Sequence, residues 1–330
     1  MKKRILTGDR PTGSLHLGHY VGSLQNRIQL QSDGYEMFNI IADLQVLTDR
    51  LDTKDVEKNI RELVLDYLSV GIDPKKTNIF IQSRVSQLSE LFVYLSMLVN
   101  VGRVGQNPTV KEETKATGGG NMSLGMFSLG VSQSADILAF NADLVPVGED
   151  QLPHIEQARD LVRSFNHNFG DVFREPEAML SKTPRLLGLD AQNKMSKSRG
   201  NAIFLSDTKE VVEKKIKTAV TDSDSSVRYD EEKKPEVSNL IMMYHLFSDM
   251  SIDEIVKKYE GVKSYKEFKE DLAEVINKFL DPIRERREQA EKEEDIARIL
   301  RDGTQRAIEE TEKTMQKVRK AMKYEYRSIF

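Results

Sequence analysis

The 330 residues include no cysteine and no tryptophan. Without cysteine the chain can form no disulfide, no thiolate metal site and no cysteine nucleophile. Without tryptophan, no side chain of the protein absorbs in the indole band. Long apolar runs are missing as well, since none reaches the roughly 18 residues that a membrane-spanning helix needs. Residues 1–4 lead into a strand without the apolar stretch of a signal peptide, so we expect no membrane partner and a cytoplasmic location.

The chain also has no excess of positive charge. Its net charge of −4 argues against unselective coating of nucleic acids, but a structured RNA could still dock on a local basic patch. Such a patch lies near the C-terminus, at Lys317, Arg319, Lys320, Lys323 and Arg327. Taken alone, this run is also explained by a solvated helix face. The length of 330 residues favours two domains over one.

Strand-like and helix-like segments alternate over the first part of the chain. Apolar strand patterns lie at 5–8, 37–42, 78–83 and 144–147, and helical patterns lie at 20–30, 54–70, 88–99, 132–140 and 152–165. Asp52 and Thr53 are the expected N-terminal caps of the second helix. This alternation predicts an α/β fold with a Rossmann-like, doubly wound parallel sheet.

Strand patterns fade after Asp207. Helices are predicted at about 207–219, 236–249, 251–259, 265–290 and 292–323. We therefore expect a Rossmann domain over 1–204, an all-helical domain over 205–290, and a C-terminal helix in 291–330 that can pack back on the first domain.

The segment from Arg10 to His19 carries the first chemical motif. It follows the first strand and opens a helix, an arrangement in which free backbone N–H groups and the helix dipole favour an anion. Gly13 and Gly18 allow a ligand to approach the backbone closely. His16 and His19 lie on one side of the turn and can donate hydrogen bonds there. The segment predicts a nucleotide site.

A second motif, Lys194-Met195-Ser196-Lys197-Ser198, precedes Gly200. Two lysines and two serines in five residues can surround a polyphosphate with charge and hydroxyl donors. Residues 117–121 read Thr-Gly-Gly-Gly-Asn and follow Lys111 and Lys115. That segment is either a surface loop or a mobile lid whose lysines close over phosphates.

Together, His16-Leu17-Gly18-His19 and the second motif closely resemble the two signatures of class I aminoacyl-tRNA synthetases. Between them, Ala135-Asp136-Ile137-Leu138 and the segment Val145-Pro146-Val147-Gly148-Glu149-Asp150-Gln151 resemble the bacterial tryptophanyl-tRNA synthetase branch. The likeness continues through Thr221-Asp222-Ser223 and Pro282-Ile283-Arg284 and spans nearly the whole chain.

The sequence departs from the commoner bacterial pattern at several positions. The first motif reads His-Leu-Gly-His where many tryptophanyl enzymes have Thr-Ile-Gly-Asn. Arg10 replaces a more usual glutamine, Gln45 stands where a histidine often follows the second strand, and Gln133 stands where a methionine usually packs on the indole. These differences are typical of a divergent subfamily, and Gln133 makes the expected pocket more polar.

The resemblance implies an ATP-dependent ligase. Such an enzyme joins the carboxylate of tryptophan to the α-phosphate of ATP, with Mg²⁺, and releases pyrophosphate; it then transfers tryptophan to the 3′ end of tRNA(Trp). No nucleophilic side chain is needed, so catalysis depends on positioning and charge stabilisation. The family also implies a homodimer, with Leu88 to Val104 in the interface, and a helical domain that reads unstacked anticodon bases.

The resemblance also implies site residues. Those for ATP are Arg10, Pro11, Thr12, Gly18, His19, Gly148, Glu149, Asp150, Leu186, Lys194, Met195, Ser196, Lys197 and Ser198. Those for tryptophan are Leu6, Gly8, Gln133, Asp136, Val145, Val147 and Gln151. The catalytic set is His16, His19, Lys194 and Lys197. Asp136 would accept the indole N–H, Gln151 would approach the α-amino group, and the lysines would stabilise the leaving pyrophosphate.

Other interpretations of the motifs stay open at this stage. A tyrosyl-tRNA synthetase shares the fold and motifs, and a silent paralogue could bind RNA without catalysis. Nucleotidyltransferases also use His-x-Gly-His, but they leave the second motif unexplained. His16 and His19 could be metal ligands, yet the other histidines are scattered and cysteine is missing, so we expect no protein-held metal. Asp136 could be a helix cap or surface charge, and His154 is expected to serve helix packing or a surface role.

Overall fold

Five parallel strands form the central sheet. The computed structural model describes residues 2–48, 51–116, 122–180, 186–197, 199–262 and 264–326. The strands are β1 (Arg4–Asp9), β2 (Glu36–Ile41), β3 (Thr77–Ile81), β4 (Leu144–Val147) and β5 (Glu177–Leu180). They lie in the order β3-β2-β1-β4-β5, and each neighbouring pair is parallel. The predicted doubly wound α/β fold is confirmed.

Helices follow each strand and then make up the rest of the chain. Up to the fifth strand they are α1 (Leu17–His19), α2 (Gln25–Ser32), α3 (Val56–Val70), α4 (Ser86–Ser96), α5 (Val101–Val104), α6 (Pro108–Ala116), α7 (Leu124–Phe127), α8 (Leu129–Ala139) and α9 (Leu152–Phe169). After it come α10 (Lys209–Thr218), α11 (Pro235–Leu246), α12 (Ile252–Lys258), α13 (Tyr265–Glu293) and α14 (Ile296–Ala321). None of the helices in the described part of the chain is long and apolar enough to cross a membrane.

Three local predictions were wrong. The helix expected from residue 20 already begins at Leu17 and contains a π-helical turn, Tyr20–Leu24; such turns are frequent at functional sites. Helix α3 begins at Val56, beyond the expected caps at residues 52 and 53. Strand β5 was missed because it is an edge strand with two exposed and two partly buried residues, so it lacks a buried apolar run. The predicted loop at 117–121 lies outside the described residues.

The sheet reverses its winding direction at β1. One half of the sheet, β2 and β3, lies on one side of β1, and β4 and β5 lie on the other. Chain connections therefore leave the carboxyl ends of β1 and β4 in opposite directions, which opens a crevice at that edge. At Gly8 a Cβ would lie 1.9 Å from the carbonyl oxygen of Ile40, so only glycine fits at this point of the crevice floor.

Two apolar cores flank the sheet. One contains Leu63 of α3 together with Leu240 of α11 and Phe268 of α13, so the helical part of the chain packs against the α/β part. The other joins Phe80 of β3 and Leu91 of α4 to buried side chains of α8, α9 and α14. Most of the last helix thus packs on the sheet side, and only its start, at Ile296 and Ile299, joins the core of the helices that precede it.

Helix α14 covers β3, which is an edge strand. The amide of Asn78 donates to the carbonyl of Gly303 at 2.8 Å, and the hydroxyl of Thr304 accepts from the backbone N–H of Ile81 at 3.3 Å. The second of these bonds satisfies a backbone N–H of the strand edge, which a partner strand would otherwise pair, and the first is made by a side chain. The approach is close because a Cβ at Gly303 would lie 1.9 Å from the carbonyl oxygen of Ile79.

We expect Gly303→Ala to lower the free energy of unfolding by about 1 to 3 kcal/mol, because the methyl group must push α14 away from β3. Gly22→Ala is the matched control: it lies on another helical turn, where an added Cβ would meet nothing within 4 Å, and it should be neutral or slightly stabilising. Urea unfolding of both variants measures the difference. Equal midpoints would contradict the close packing of α14.

Candidate active site

A cavity of about 450 Å³ occupies the crevice at the ends of β1 and β4. Its lining combines the end of β1, the first motif, α8 and the start of α9. The predicted residues that line it are Leu6, Gly8, Arg10, Thr12, His19, Gln133, Asp136, Val145, Val147, Gly148 and Gln151. A half-apolar cleft of this size with a few convergent polar groups is suited to a small organic ligand.

The first motif places its two histidines differently. His16 is buried, precedes α1, and does not line the cavity, whereas His19 does. The His19 Nδ1 accepts from the backbone N–H of His16 at 3.2 Å, and the two ring centroids are 3.7 Å apart. Burial lowers the pKa of His16 to about 2 and that of His19 to about 4, so both rings are neutral at pH 7.

The second motif and the segment that follows it contact the first motif. Backbone bonds join Leu17 N to Ile203 O and Leu205 N to Leu15 O, each at 3.0 Å. The Lys197 ammonium donates to the carbonyl of Gly13, whose φ of 115° is one that side-chain-bearing residues rarely adopt. Two segments about 180 residues apart in the chain therefore share one surface beside the cavity.

Lys194 lies on this same surface beside the cavity. Its side chain is half exposed, and its Nζ lies 3.4 Å from Asp150 Oδ2. Although partial burial opposes it, Lys194 lowers the pKa of Asp150. Asp150 follows Gly148 and Glu149 in the exposed turn after β4. A cationic side chain and two carboxylates thus stand at the cavity mouth, where they can contact the phosphates and hydroxyls of a nucleotide.

Asp136 lies on α8 and is almost fully buried at the cavity wall. The Gln82 amide donates to both of its carboxyl oxygens, at 2.8 and 3.0 Å, and the Gln45 amide donates at 3.3 Å. Burial raises its pKa to about 7 even though the two amides favour the ionised form. A buried carboxylate oriented by two amides, beside Leu6 and Val145, is an acceptor for an N–H or O–H of an aromatic ligand.

Other predicted residues surround the cavity without lining it. Leu186 and Met195 are buried in the core beside the first motif. Pro11 is buried, and Gly18 packs so closely that a Cβ would lie 3.0 Å from the His16 ring. The backbone N–H of Ser196 donates to Asn201 at 2.8 Å. Ser198 lies outside the described residues.

Sequence reasoning missed several groups at the cavity. Asp9 and Arg27 line it, and Gln82 orients Asp136 from behind. Asp9 could have been found, because it directly follows the predicted strand at 5–8, at the edge where ligands bind. Arg27 looks like any polar residue on a helix, and Gln82 like the end of a strand. His154 also lines the cavity, and it is buried with its Nε2 3.1 Å from the Thr109 hydroxyl, an arrangement that agrees with the expected packing role.

Comparisons with known proteins agree with this geometry. The family model for class I tRNA synthetases (W and Y) matches residues 1–281. The chain is 43% identical to the tryptophan–tRNA ligase of Streptococcus pyogenes serotype M1 over a 341-residue alignment covering 98% of this chain and 99% of the relative.

Solved structures of tryptophanyl-tRNA synthetases have the same fold. The Campylobacter jejuni enzyme, crystallised with ADP and tryptophan, aligns with a TM-score of 0.84 and 32% identity, over 97% of this chain and 99% of that one. The Mycoplasma pneumoniae enzyme aligns with a TM-score of 0.85 and 29% identity over the full length of both chains. The resemblance stated from the two motifs is confirmed, and the chain belongs to the tryptophanyl-tRNA synthetase family of class I tRNA synthetases.

Proposed function

We propose that this protein is an ATP-dependent tryptophan–tRNA ligase. It activates L-tryptophan with ATP to tryptophanyl-adenylate and pyrophosphate and then transfers tryptophan to the 3′ end of tRNA(Trp). The observation that carries the proposal is Asp136, a buried carboxylate held by Gln82 and Gln45 in the wall of a cavity between the two class I motifs. Its specificity for tryptophan also agrees with the relatives at 43% identity.

In this proposal Asp136 accepts the indole N–H of tryptophan. Leu6, Val145 and Val147 pack on the ring, Gly8 leaves room for it, and the Gln133 side chain lies beside it. Gln151, at the start of α9, binds the α-amino group. Phenylalanine, which lacks a donor, leaves the carboxylate desolvated and unpaired, and this mismatch rejects it.

ATP occupies the remainder of the cavity and its mouth. The turn of Arg10, Pro11 and Thr12 contacts the phosphates, together with Gly18 and the Nε2–H of His19. The ribose lies against Gly148, Glu149 and Asp150, while Leu186 and Met195 support the adenine side. His16 acts from beneath by stacking on His19. These groups hold the α-phosphate in line with the tryptophan carboxylate, which supplies the nucleophile.

The second motif stabilises the departing pyrophosphate. Lys194 and Lys197 supply positive charge, and Ser196 and Ser198 supply hydrogen-bond donors. ATP enters as its Mg²⁺ complex. Among the described residues no three histidine or carboxylate side chains converge as a metal site, and the ion would supply positive charge at the phosphates beside Lys194 and Lys197.

The helical region over 205–290 binds the anticodon loop, and the last helix, within 291–330, belongs structurally with the catalytic domain of 1–204. A homodimer forms through the region from Leu88 to Val104, because the large apolar side chains of Met97 and Val101 are 78% and 73% exposed there. Charged tRNA is used in the cytoplasm, and we place the protein there.

The proposal is tested by pyrophosphate exchange into ATP with tryptophan, tyrosine and phenylalanine in parallel. We expect exchange with tryptophan at least about 1,000-fold faster than with phenylalanine, because the site is built around one ligand N–H. Exchange with tyrosine alone would identify a tyrosyl enzyme. No exchange with any of the three would favour an RNA-binding protein without catalysis.

A further inference from the structure

A cluster of charged and polar side chains lies beneath the first motif. The Arg27 guanidinium of α2 donates to Asp9 Oδ2 at 2.7 Å, and the Tyr67 hydroxyl of α3 donates to the same oxygen at 2.6 Å. A second guanidinium nitrogen donates to the carbonyl of Gly8 at 3.2 Å. Arg27 is only 3% exposed and Tyr67 is fully buried. The cluster connects β1, α2 and α3 around the turn that carries His19.

A stabilising role does not by itself account for this ion pair. Desolvation of two charges offsets most of their attraction, so a buried pair adds little stability compared with apolar residues of the same size. The Arg27 Nε also has no hydrogen-bond partner in the described part of the chain. Both charged side chains line the substrate cavity. Their charges therefore act on the other titratable groups in that cavity.

His19 is the cavity group that these charges face. Burial is the largest cause of its lowered pKa; among the nearby charges, Asp9 favours the imidazolium form, whereas Lys197 from the second motif and Arg27 oppose it. The His16 ring lies against it from the helix cap, tilted by 42°. Asp9 is therefore the one group among these four that would draw a proton onto His19, and Arg27 neutralises it.

The hydrogen bond from the His16 backbone specifies the tautomer of His19. Its Nδ1 accepts that N–H at 3.2 Å and so carries no proton, which places the single proton of the neutral ring on Nε2. An imidazolium would carry a proton on both nitrogens and would lose this bond at the start of α1. A neutral His19 thus keeps the helix cap and directs Nε2–H outward as a donor.

We propose that Asp9 and Arg27 form a positioning pair that keeps His19 neutral, with its Nε2–H directed towards the nucleotide phosphates. The statement about phosphates rests on the proposed function, and the statement about His19 does not. Without Arg27, the Asp9 carboxylate would become the counter-ion of His19 and would raise the pKa of the ring, and protonation at Nδ1 at the lower end of the pH range would break the bond from the His16 backbone. Arg27 therefore acts on the reaction through His19.

The test is the titration of His19 by nitrogen–proton correlation NMR on the full-length protein without nucleotide. The chain has five histidines, so the His19 signal can be assigned by its loss in His19→Gln. In Arg27→Met we expect the pKa of His19 to rise by about 1 to 3 units, because an unpaired carboxylate then faces the ring. In the double variant Asp9→Asn, Arg27→Met, the rise should disappear. Tyr67→Phe removes a hydrogen bond but no charge and should leave the titration unchanged.

A second measurement requires no substitution at Asp9 or Arg27. At pH 7 the nitrogen shifts of His19 in the unmodified protein should report a neutral ring protonated at Nε2, and the opposite tautomer or an imidazolium would overturn the proposal even if Arg27→Met does not fold. The proposal would also be overturned if His19 had the same pKa in the unmodified protein and in Arg27→Met.

The proposal also predicts a pH profile. The acidic limb of kcat/KM for ATP in pyrophosphate exchange should move to higher pH in Arg27→Met and return in the double variant. A purely structural pair would lower stability without moving that limb. An unmodified protein that lacks exchange would refute the proposed function while leaving the NMR test of the pair intact.

Discussion

Asp136→Ala is expected to lower kcat/KM for tryptophan in pyrophosphate exchange by about 100-fold, the loss typical of a hydrogen bond to a buried charged group. The variant removes the only carboxylate among the cavity-lining side chains of α8 and leaves the amides of Gln45 and Gln82 without their acceptor. Asp33→Ala is the control, since Asp33 is an exposed carboxylate at the end of α2 and should leave the rate unchanged.

The same carboxyl predicts how tryptophan binding responds to pH. Its pKa is about 7, and only the ionised form has full acceptor strength for an indole N–H, so affinity should weaken as the pH falls through 7. Ligand fluorescence can follow this directly because the protein has no tryptophan of its own. In Asp136→Ala the pH dependence should vanish. An alanine variant with full activity, or with an unchanged pH profile, would remove Asp136 from the specificity site.

Arg287→Met is expected to lower the free energy of unfolding by about 3 to 5 kcal/mol, because it leaves a buried carboxylate unpaired. Arg287 of α13 donates to Asp66 and Glu62 of α3, and the Asp66 side chain is fully buried. The other Asp66 oxygen accepts from the backbone N–H of Leu15 at 2.6 Å. This pair therefore links the helical part of the chain to the first motif.

The size of this loss should depend on pH. Burial raises the pKa of Asp66 to about 6 despite Arg287, and removing the arginine raises it further. When the pKa of a carboxyl group is higher in the folded than in the unfolded state, the free energy of unfolding of the protein falls as the pH rises between these two pKa values. The variant should therefore be more destabilised at about pH 8 than at about pH 5.

Two controls separate charge from packing. Arg298→Met removes an exposed arginine at the start of α14 and should change stability by less than about 0.5 kcal/mol. The double variant Asp66→Leu, Arg287→Met removes both charges and should recover part of the loss. Urea unfolding at the two pH values measures all of them. A loss for Arg287→Met that is equal at both values would mean that packing, rather than the buried charge, is responsible.

The predictions that held rest on local patterns. The strands β1 to β4 were placed within a residue or two of their observed bounds because each is a short apolar run in a buried parallel sheet. Strand β5 was missed because an edge strand needs little apolar surface. The π-helical turn after His19 has no sequence pattern of its own, since it depends on how the helix packs.

The residues of the candidate site also fall into two groups, those that local sequence predicted and those that it did not. The two motifs are contiguous in sequence, so their composition was enough to predict a nucleotide site and a family. The roles of Arg27, Gln82 and Arg287, in contrast, could not be predicted from the sequence. Each is an ordinary polar residue in its own segment and acquires its role from a carboxylate on another element, namely Asp9, Asp136 and Asp66.

The sequence by itself determined the fold class, the nucleotide-binding turn and the family, because strand and helix periodicity and a phosphate-binding turn are encoded within a few consecutive residues. Only the tertiary structure decided which of the two motif histidines lines the cavity, how the lysine motif contacts the first turn, and which cations neutralise the buried carboxylates. Those properties depend on burial and on charges brought together from distant segments, and Coulomb energies change steeply with both.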